Sequence, residues 1–220
     1  DVILLCAHSG SVTPVLRQIL PLLSPQALVM DVSSVKEKVV SEALRIPGMA
    51  RHFVPCHPLA GKEKSGPAHA DARLYKGRFV FITPLPKTSP RLLKRTSQFW
   101  KSVGALPLVI DAKTHDRQVA LTSHLPHLLA ATLVNLYGHH QKKSPQFRRA
   151  VGSGFRDFTR IASGNPQMWS DIVEMNAHEL RSILSNFRKS LAGLEKNLGK
   201  GRGAFWFSFF EKARSVREKL

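Results

Sequence analysis

His57 opens the stretch HPLAGKEKSG, and its setting suggests acid–base chemistry. It follows the apolar run HFVPC, which is typical of a strand, so we expect His57 to lie at a strand end. An imidazole has a pKa near neutrality and can take a proton from a substrate group. From this stretch alone, a structural histidine that only makes hydrogen bonds is the alternative interpretation. A phosphate-binding loop is excluded, because no Lys-Ser/Thr pair follows the second glycine.

Ser34 lies in a second stretch that suits ligand binding, DVSSVK, where a predicted strand ends and a helix begins. Ligands bind at this edge of open α/β sheets, and free backbone N–H groups at the helix start face them. Ser34 could donate a hydrogen bond to a substrate oxygen. The alternative is that Ser33 or Ser34 only caps the helix.

Two histidines three residues apart, His124 and His127, lie in the stretch SHLPH and share one face of a predicted helix. Zinc would need carboxylate or cysteine ligands nearby, and the sequence supplies none, so we predict no metal site. Polar residues beside a helix kink more often line a cavity or hydrogen-bond freed carbonyl groups.

Arg160 lies in the stretch GSGFRDFTRIASGNPQMW, together with Arg156 and Asp157. An arginine on a packed segment suits bidentate binding of a carboxylate. A structural Arg–Asp ion pair is the alternative interpretation.

Residues 1–110 alternate between short apolar runs and helical patterns. The predicted strands are DVILLCA, QALVMDV, RFVFITP and LPLVID, with helical segments such as SPRLLKRTSQFWKSVG between them. This alternation predicts an α/β domain with a parallel sheet and crossover helices.

Residues 111–220 predict an all-helical domain. A long helix, with a kink expected at Pro126, is followed from Pro166 by one long amphipathic helix and then by a basic helix after the loop GKGRG. The fold class is therefore α/β followed by all-α, with the domain boundary near residue 110.

The chain carries 33 Lys and Arg against 15 Asp and Glu, a net charge of +18 spread over both halves. Such a field attracts nucleic acid, anionic membranes or small polyanions. We do not expect a nucleic-acid site, since the aromatic residues of GKGRGAFWFSFFEKAR fit the packing face of a helix. The sequence shows no signal peptide and no apolar run of membrane-spanning length, and two cysteines make no disulfide framework. We therefore expect a cytoplasmic protein without membrane contact.

Four stretches taken in order, DVSSVK, HPLAGKEKSG, SHLPH and GFRDFTRIASGNPQMW, resemble the prephenate dehydrogenase family. This family of tyrosine biosynthesis includes the prephenate, arogenate and cyclohexadienyl dehydrogenases. The resemblance runs from about residue 1 to residue 195. It implies a Rossmann domain that binds NAD or NADP, then a helical domain through which two subunits dimerise.

The resemblance also implies roles for individual residues. His57 corresponds to the catalytic base that takes the proton of the substrate's ring hydroxyl, and Ser34 to the serine that hydrogen-bonds this hydroxyl beside the nicotinamide. Arg160 corresponds to the arginine that binds a substrate carboxylate, while His127 and Trp169 line the substrate or tyrosine pocket. The residues implied on the cofactor side are Cys6, Ala7, Ser33 and Ser34.

The reaction implied is the oxidative decarboxylation of prephenate to 4-hydroxyphenylpyruvate. The conversion of arogenate to tyrosine is the alternative, and a catalytically dead relative that binds nucleic acid is a remote one. The stretch SHLPH favours prephenate, because we expect a cationic or donor histidine to suit its side-chain carboxylate. The sequence contains no tyrosine-sensing domain after the helices, so we expect any tyrosine inhibition to be competitive, in the substrate pocket.

The chain departs from the family pattern at its front. The family's first strand, glycine-rich turn and ribose-binding acidic residue have no counterpart, so we expect residues 1–110 to be a partial Rossmann domain that binds the dinucleotide poorly alone. In addition, His8 stands where the family usually has a proline, and Pro55 and Cys56 replace the usual glycines before the catalytic histidine.

Overall fold

The computed structural model describes residues 1–61, 67–143, 146 and 150–220. The stretch HPLAGKEKSG is described only as far as Gly61, so the remainder of this motif lies outside the described residues. The chain forms two compact units, residues 1–180 and residues 181–220.

Two three-stranded sheets form the α/β part of the first unit. One has the order β1-β2-β3 and is parallel throughout, and the other has the order β4-β5-β6. Only Pro55 separates β3 from β4. The strands are β1 (Val2–Leu5), β2 (Leu28–Asp31), β3 (Phe53–Val54), β4 (Cys56–Pro58), β5 (Phe79–Ile82) and β6 (Leu106–Val109).

Nine α-helices accompany these strands in the described part of the chain. They are α1 (Val12–Ile19), α2 (Glu37–Ala43), α3 (Pro90–Ser102), α4 (Ala112–Val119), α5 (Leu125–Lys143), α6 (Ser153–Thr159), α7 (Pro166–Met175), α8 (Ala177–Glu195) and α9 (Gly203–Arg217). The predicted order of a Rossmann-like α/β region followed by helices is confirmed. One pairing differs from an all-parallel sheet, because β5 runs antiparallel to β4. For β5 to run parallel to β4, the connection between them would need a crossover of a dozen or more residues, usually a helix. The described residues between β4 and β5 contain no α-helix.

The core of the α/β part lies on both faces of β2, whose four residues are all buried. One face packs Val29 against Val12 and Leu16 of α1, and the other packs Met30 and Leu28 against residues of α3 such as Trp100. A strand buried on both faces reads as a continuous apolar run, which is why LVM was predictable as a central strand. This core fixes the carboxyl ends of the strands, where the site residues lie.

The start of α2 differs from the prediction. Neither Ser33 nor Ser34 caps this helix, because the N-cap residue is Lys36 and it makes no side-chain cap hydrogen bond. Instead the carboxylate of Asp116 accepts hydrogen bonds from the backbone N–H groups of Lys36 (2.8 Å) and Glu37 (2.9 Å). A residue from α4 therefore supplies the cap, which leaves both serines available for other contacts.

The two long helices expected in the helical half are both interrupted. The first contains a π-helical turn at Ala120–His124, just before the predicted kink at Pro126. The second ends at Met175 and restarts at Ala177, because Asn176 leaves helical geometry at φ −108° and ψ 25°. Its side chain bonds elsewhere, to the backbone oxygen of Asp116. Both irregularities place polar side chains in the protein interior.

The segment Ala112–Lys142 is long and apolar enough to cross a membrane by length and composition, with a mean hydropathy of 1.3 over its most apolar window. Its polar residues argue for packing within the protein instead. His115, Asp116 and His124 are buried on this segment, and Asp116 caps α2 of the α/β part. Only 28% of the window is buried, so these residues anchor the segment to the rest of the protein while much of its apolar surface is exposed.

The second unit comprises the carboxyl-terminal part of α8 and the whole of α9. Large apolar side chains of α9 are exposed, among them Phe207 at 74% and Phe210 at 64%. Exposed apolar side chains of this size suit contact with another surface.

Candidate active site

The carboxyl ends of the strands bring the predicted α/β site residues to one edge. Cys6 and Ala7 follow β1, Ser33 and Ser34 follow β2, and His57 lies in β4. The strands β1, β2 and β3 are parallel neighbours, so their carboxyl ends meet at one edge, and His57 follows β3 after Pro55 and Cys56. Cys6 is exposed, Ala7 and Ser34 are half-buried, and Ser33 and His57 are buried. The side chain of Ser34 has no hydrogen-bond partner among the described residues.

A buried lysine ties the loop that carries Ser34 to the strand that carries His57. The Lys36 Nζ donates to Asp31 Oδ2 (2.5 Å), to Ser33 Oγ (2.9 Å) and to the backbone oxygen of Cys56 (2.7 Å). Asp31 Oδ1 in turn accepts from the backbone N–H of Cys56 at 2.9 Å. Lys36 and Asp31 are both fully buried, so this ion pair is shielded from water. The cluster holds residues 33–36 in a fixed position relative to His57.

His57 is joined to the helical half through a second histidine. Its Nδ1 lies 2.8 Å from Nε2 of His115, and Nδ1 of His115 lies 2.7 Å from Oδ1 of Asp116. His115 is fully buried, and Asp116 is 1% exposed. Sequence reasoning missed both residues. The only signal was a His-Asp pair near the start of a predicted helix, and nothing local connects it to a residue 58 positions away.

The surroundings of His57 keep its imidazole neutral. Burial lowers its pKa well below the ordinary value of 6.5, and the neighbouring His115, Lys36 and His124 lower it further. Burial also lowers the pKa of His115, partly offset by Asp116. An unprotonated imidazole is the form that a general base requires.

The helical part of the first unit contains a separate cavity of about 390 Å³. His127 and Trp169 stack on one of its walls, with ring centroids 3.8 Å apart. The other lining residues are mainly apolar: Leu128, Ala131, Asn135, Ile161, Ala162, Gly164, Pro166 and Val173. The structure therefore brings His127 and Trp169 together at a cavity, as expected for a ligand-binding wall.

Two buried N–H groups near this cavity have no partner in the described structure. Asn176 Nδ2 donates to the backbone oxygen of Asp116 (3.0 Å) and contacts Nδ1 of His124 at 3.1 Å. His124 Nδ1 is therefore the acceptor in this contact, so the proton of the neutral ring is on Nε2. Both this Nε2 and the Nε1 of Trp169 are buried without a hydrogen-bond partner in the described structure. Burial lowers the pKa of His124 to about 4. Buried unpaired donors are costly and often mark a place for an acceptor that is not part of the chain.

Arg160 begins a 3₁₀ turn, Arg160–Ser163, directly after α6. Its side chain is exposed, and the next two residues, Ile161 and Ala162, line the cavity. Arg156 and Asp157 are also exposed. The structure thus places Arg160 next in sequence to the cavity wall, while the carboxylate-binding role implied by the resemblance stays a prediction.

Comparison with known proteins agrees with this arrangement. Residues 1–109 match the family model "Prephenate dehydrogenase, nucleotide-binding domain", and residues 111–211 match "Prephenate dehydrogenase, dimerization domain". The cyclohexadienyl dehydrogenase of Zymomonas mobilis is 32% identical over 223 residues, which cover the whole chain and 75% of that protein. The chain belongs to the prephenate dehydrogenase family.

Solved structures of the family have the same fold. The prephenate dehydrogenase from Aquifex aeolicus, in complex with hydroxyphenyl propionate and NAD⁺, superimposes with a TM-score of 0.89 at 32% identity and covers 100% of this chain and 76% of that one. The arogenate dehydrogenase from Synechocystis has a TM-score of 0.83 at 27% identity and covers 99% of this chain and 78% of that one. The chain is accordingly an oxidoreductase with an NAD(P) cofactor.

The residues at the sheet edge are those that would hold the nicotinamide end of this cofactor. The half-buried Ala7 and Ser34 border the edge, and the Ser34 hydroxyl has no competing partner in the described structure. Cys6 and Ser33 lie beside them. When bound, the cofactor supplies a hydride acceptor. That these four residues contact it stays a prediction.

Because three histidines are buried, we expect the free energy of unfolding to fall as the pH is lowered. His57, His115 and His124 all have a pKa lowered below 6.5, with burial as the largest cause. Below this pH the unfolded chain binds more protons than the folded one, so the folded state loses stability as pH falls. The expected loss is up to about 1.4 kcal/mol per pH unit for each histidine. Urea unfolding at several pH values between about 7.5 and 5.5 measures this slope.

A pair of variants assigns the slope to buried histidines. His124→Gln removes one of the three groups and should flatten the pH dependence. His178→Gln changes a histidine whose side chain is 87% exposed and should leave the slope as it is. Stability that stays constant or rises on acidification would contradict the burial of these imidazoles in neutral form.

Proposed function

We propose that the protein catalyses the NAD(P)-dependent oxidative decarboxylation of prephenate to 4-hydroxyphenylpyruvate, with His57 as the base. The observation that carries this proposal is the state of His57. It is a buried, neutral imidazole at the carboxyl edge of the sheet, and its Nε2 atom has no hydrogen-bond partner among the described residues. The half-buried Ser34 follows β2, the neighbour of the strand β3 that leads into His57.

These residues suit each proton step of the reaction. Ser34 donates a hydrogen bond to the ring hydroxyl, and Nε2 of His57 takes the hydroxyl proton as the ring carbon loses a hydride and becomes a carbonyl. The electron pair of the breaking bond to carbon dioxide then enters the ring. A proton returns to the carbonyl oxygen as the ring becomes aromatic, which gives the phenol. Aromatisation supplies the driving force, so the protein has to provide orientation and one well-placed base.

Recognition of the substrate is assigned to the helical part. Arg160 pairs with one carboxylate, and His127 and Trp169 form a wall of the substrate pocket. Prephenate carries two carboxylates, and the net charge of +18 draws such an anion towards the protein.

The cavity favours prephenate over arogenate. Both substrates carry a side-chain carboxylate, so this group does not discriminate between them, contrary to the expectation from SHLPH. Arogenate differs in carrying an ammonium group in place of the side-chain carbonyl, and an ammonium needs an acidic or other acceptor partner. No acidic side chain is among the described residues that line the cavity, whereas N–H donors border it. Arogenate stays the alternative substrate, because a family member that acts as an arogenate dehydrogenase shares the fold.

Gly164 offers a test of the cavity as the substrate pocket. A Cβ atom at this position would lie 2.5 Å from Nε1 of Trp169, so Gly164→Ala must displace the indole from its place against His127. We expect KM for prephenate to rise about tenfold, equivalent to about 1.4 kcal/mol of binding, with a smaller change in kcat. Steady-state kinetics measure both constants.

Gly138→Ala is the matched control. Gly138 lies in α5 with no atom of the described structure within 4 Å of the added Cβ, and alanine favours a helix. This variant should keep the wild-type KM. If Gly164→Ala also kept it, the cavity would not be the substrate pocket.

The helical domain is proposed to dimerise, and the enzyme to work in the cytoplasm. The match of residues 111–211 to a dimerization domain supports the first proposal, as do exposed apolar side chains on α5 and α9, such as Leu136 and Phe207. Tyrosine, which resembles the aromatic product, is proposed to compete with substrate in the cavity. A tyrosine titration that lowers kcat without raising the apparent KM would contradict competition.

The substrate is tested by comparing kcat/KM for prephenate and arogenate, each with NAD and with NADP, on the full-length product of the gene. The proposal predicts the highest kcat/KM with prephenate. A higher kcat/KM with arogenate would establish the alternative substrate. No turnover with any combination of substrate and cofactor would rule out the proposed activity.

A further inference from the structure

The contacts of His57 define which of its two nitrogens can act as the base. We propose that Asp116 and His115 are positioning residues: they hold His57 as the Nδ1–H tautomer, so that the lone pair of Nε2 is directed away from the protein network and towards substrate. This inference deepens the proposed function and rests on it for the role of His57, but the tautomer itself can be tested without turnover.

The first step of the argument is the state of Asp116. Its two oxygens accept the backbone N–H groups of Lys36 and Glu37, at 2.8 Å and 2.9 Å. Oδ1 also lies 2.7 Å from Nδ1 of His115. Because both oxygens of Asp116 already act as acceptors, Nδ1 of His115 is the donor in this contact and carries the proton.

The second step passes this constraint from one ring to the next. A neutral imidazole that donates from Nδ1 can only accept at Nε2. Nε2 of His115 therefore accepts from Nδ1 of His57, across 2.8 Å. It follows that the proton of neutral His57 is on Nδ1 and that its Nε2 is the free basic atom.

The charges around His57 give His115 and Asp116 a second effect. Lys36 neutralises Asp31 in a buried ion pair. Asp116, by contrast, is bonded in the described structure to backbone N–H groups and to a neutral ring. When His57 takes a proton from substrate, its positive charge lies one imidazole away from this uncompensated carboxylate. The buried group as a whole then changes from a net charge of −1 to zero.

The packing of His115 keeps its two ring nitrogens aligned with their hydrogen-bond partners. This ring is fully buried, and it meets His57 and Phe81 edge to face, with centroids 5.1 Å and 5.2 Å away. Both neighbours restrict its rotation, so the Nδ1 and Nε2 atoms stay directed at their partners. Removal of the acceptor at His115 Nε2 should release His57 to either tautomer.

Two substitutions at His115 separate the hydrogen bond from the packing. His115→Phe keeps a ring against Phe81 but offers no acceptor to His57. His115→Gln can accept from His57 through its carboxamide oxygen and donate to Asp116 through its NH₂ group. We expect His115→Phe to lower kcat about 100-fold with little change in KM, as for a base that is present but wrongly protonated. His115→Gln should recover most of the lost kcat.

The direct readout is the ¹⁵N NMR spectrum of histidine-labelled full-length protein, in which the His57 signals are identified by their loss in His57→Asn. Wild-type and His115→Gln proteins should show His57 protonated at Nδ1, and His115→Phe should show protonation at Nε2 or a mixture. A wild-type signal for Nε2–H would overturn the proposal, whether or not His115→Phe folds. Equal kcat values for the Phe and Gln variants would overturn it as well.

The same data distinguish failure of this inference from failure of the proposed function. If His57 is protonated at Nδ1 but His57→Asn turns over prephenate normally, the tautomer assignment holds and the proposed base is wrong. If His57→Asn is inactive and wild-type His57 is protonated at Nε2, His57 is still the base, but the positioning by His115 and Asp116 is wrong.

Discussion

Replacing His57 by Asn is expected to lower kcat by about three orders of magnitude, within the range that general base catalysis contributes. The carboxamide of Asn can still hydrogen-bond to His115, but it cannot take a proton from the ring hydroxyl. Since His57 is a buried side chain of β4 and not the binding group for a carboxylate, KM should change little. Steady-state kinetics with prephenate and the preferred cofactor measure both constants.

His178→Asn is the matched control for this variant. The same chemical change is made at a histidine whose side chain is 87% exposed and lies outside the proposed site, so wild-type kinetics are expected. A folded His57→Asn protein that kept more than about a tenth of the wild-type kcat would rule out His57 as the base.

The second large effect is on stability. Lys36→Met is expected to lower the free energy of unfolding by about 3–5 kcal/mol, because it leaves the fully buried carboxylate of Asp31 without its cation. The substitution also removes the hydrogen bonds to Ser33 Oγ and to the backbone oxygen of Cys56. Urea unfolding monitored by circular dichroism measures the change.

Lys38→Met provides the comparison. Lys38 is one of the exposed residues of α2, so the same substitution there should change the free energy of unfolding by less than about 0.5 kcal/mol. If Lys36→Met were equally harmless, the ion pair would not hold the Ser34 loop against the His57 strand. Because Ser34 depends on this loop, we also expect lower activity in any folded Lys36→Met protein.

The α/β half was predictable because its signals are local. A fully buried strand such as β2 reads as an apolar run, and polar residues that follow adjacent strands must meet at one edge. Ser34 and His57 could therefore be selected as site candidates from their positions alone. Their particular roles came from the resemblance to the family and stay predictions.

The contacts that complete the site could not be predicted, because they join residues far apart in sequence. Asp116 caps α2 from 80 positions along the chain, although Ser33 and Ser34 looked like the local caps. His115 reaches His57 across 58 positions. Asn176 interrupts a strong amphipathic pattern because its side chain binds the backbone of Asp116 and contacts His124, a tertiary contact that hydrophobic periodicity does not report.

The most direct test of the proposed reaction is the ratio of carbon dioxide released to nicotinamide reduced, measured with prephenate on the full-length product of the gene. The proposed oxidative decarboxylation predicts equal amounts of the two throughout the time course. Reduced nicotinamide without carbon dioxide, or no reduction at all while the folded protein binds prephenate, would contradict it.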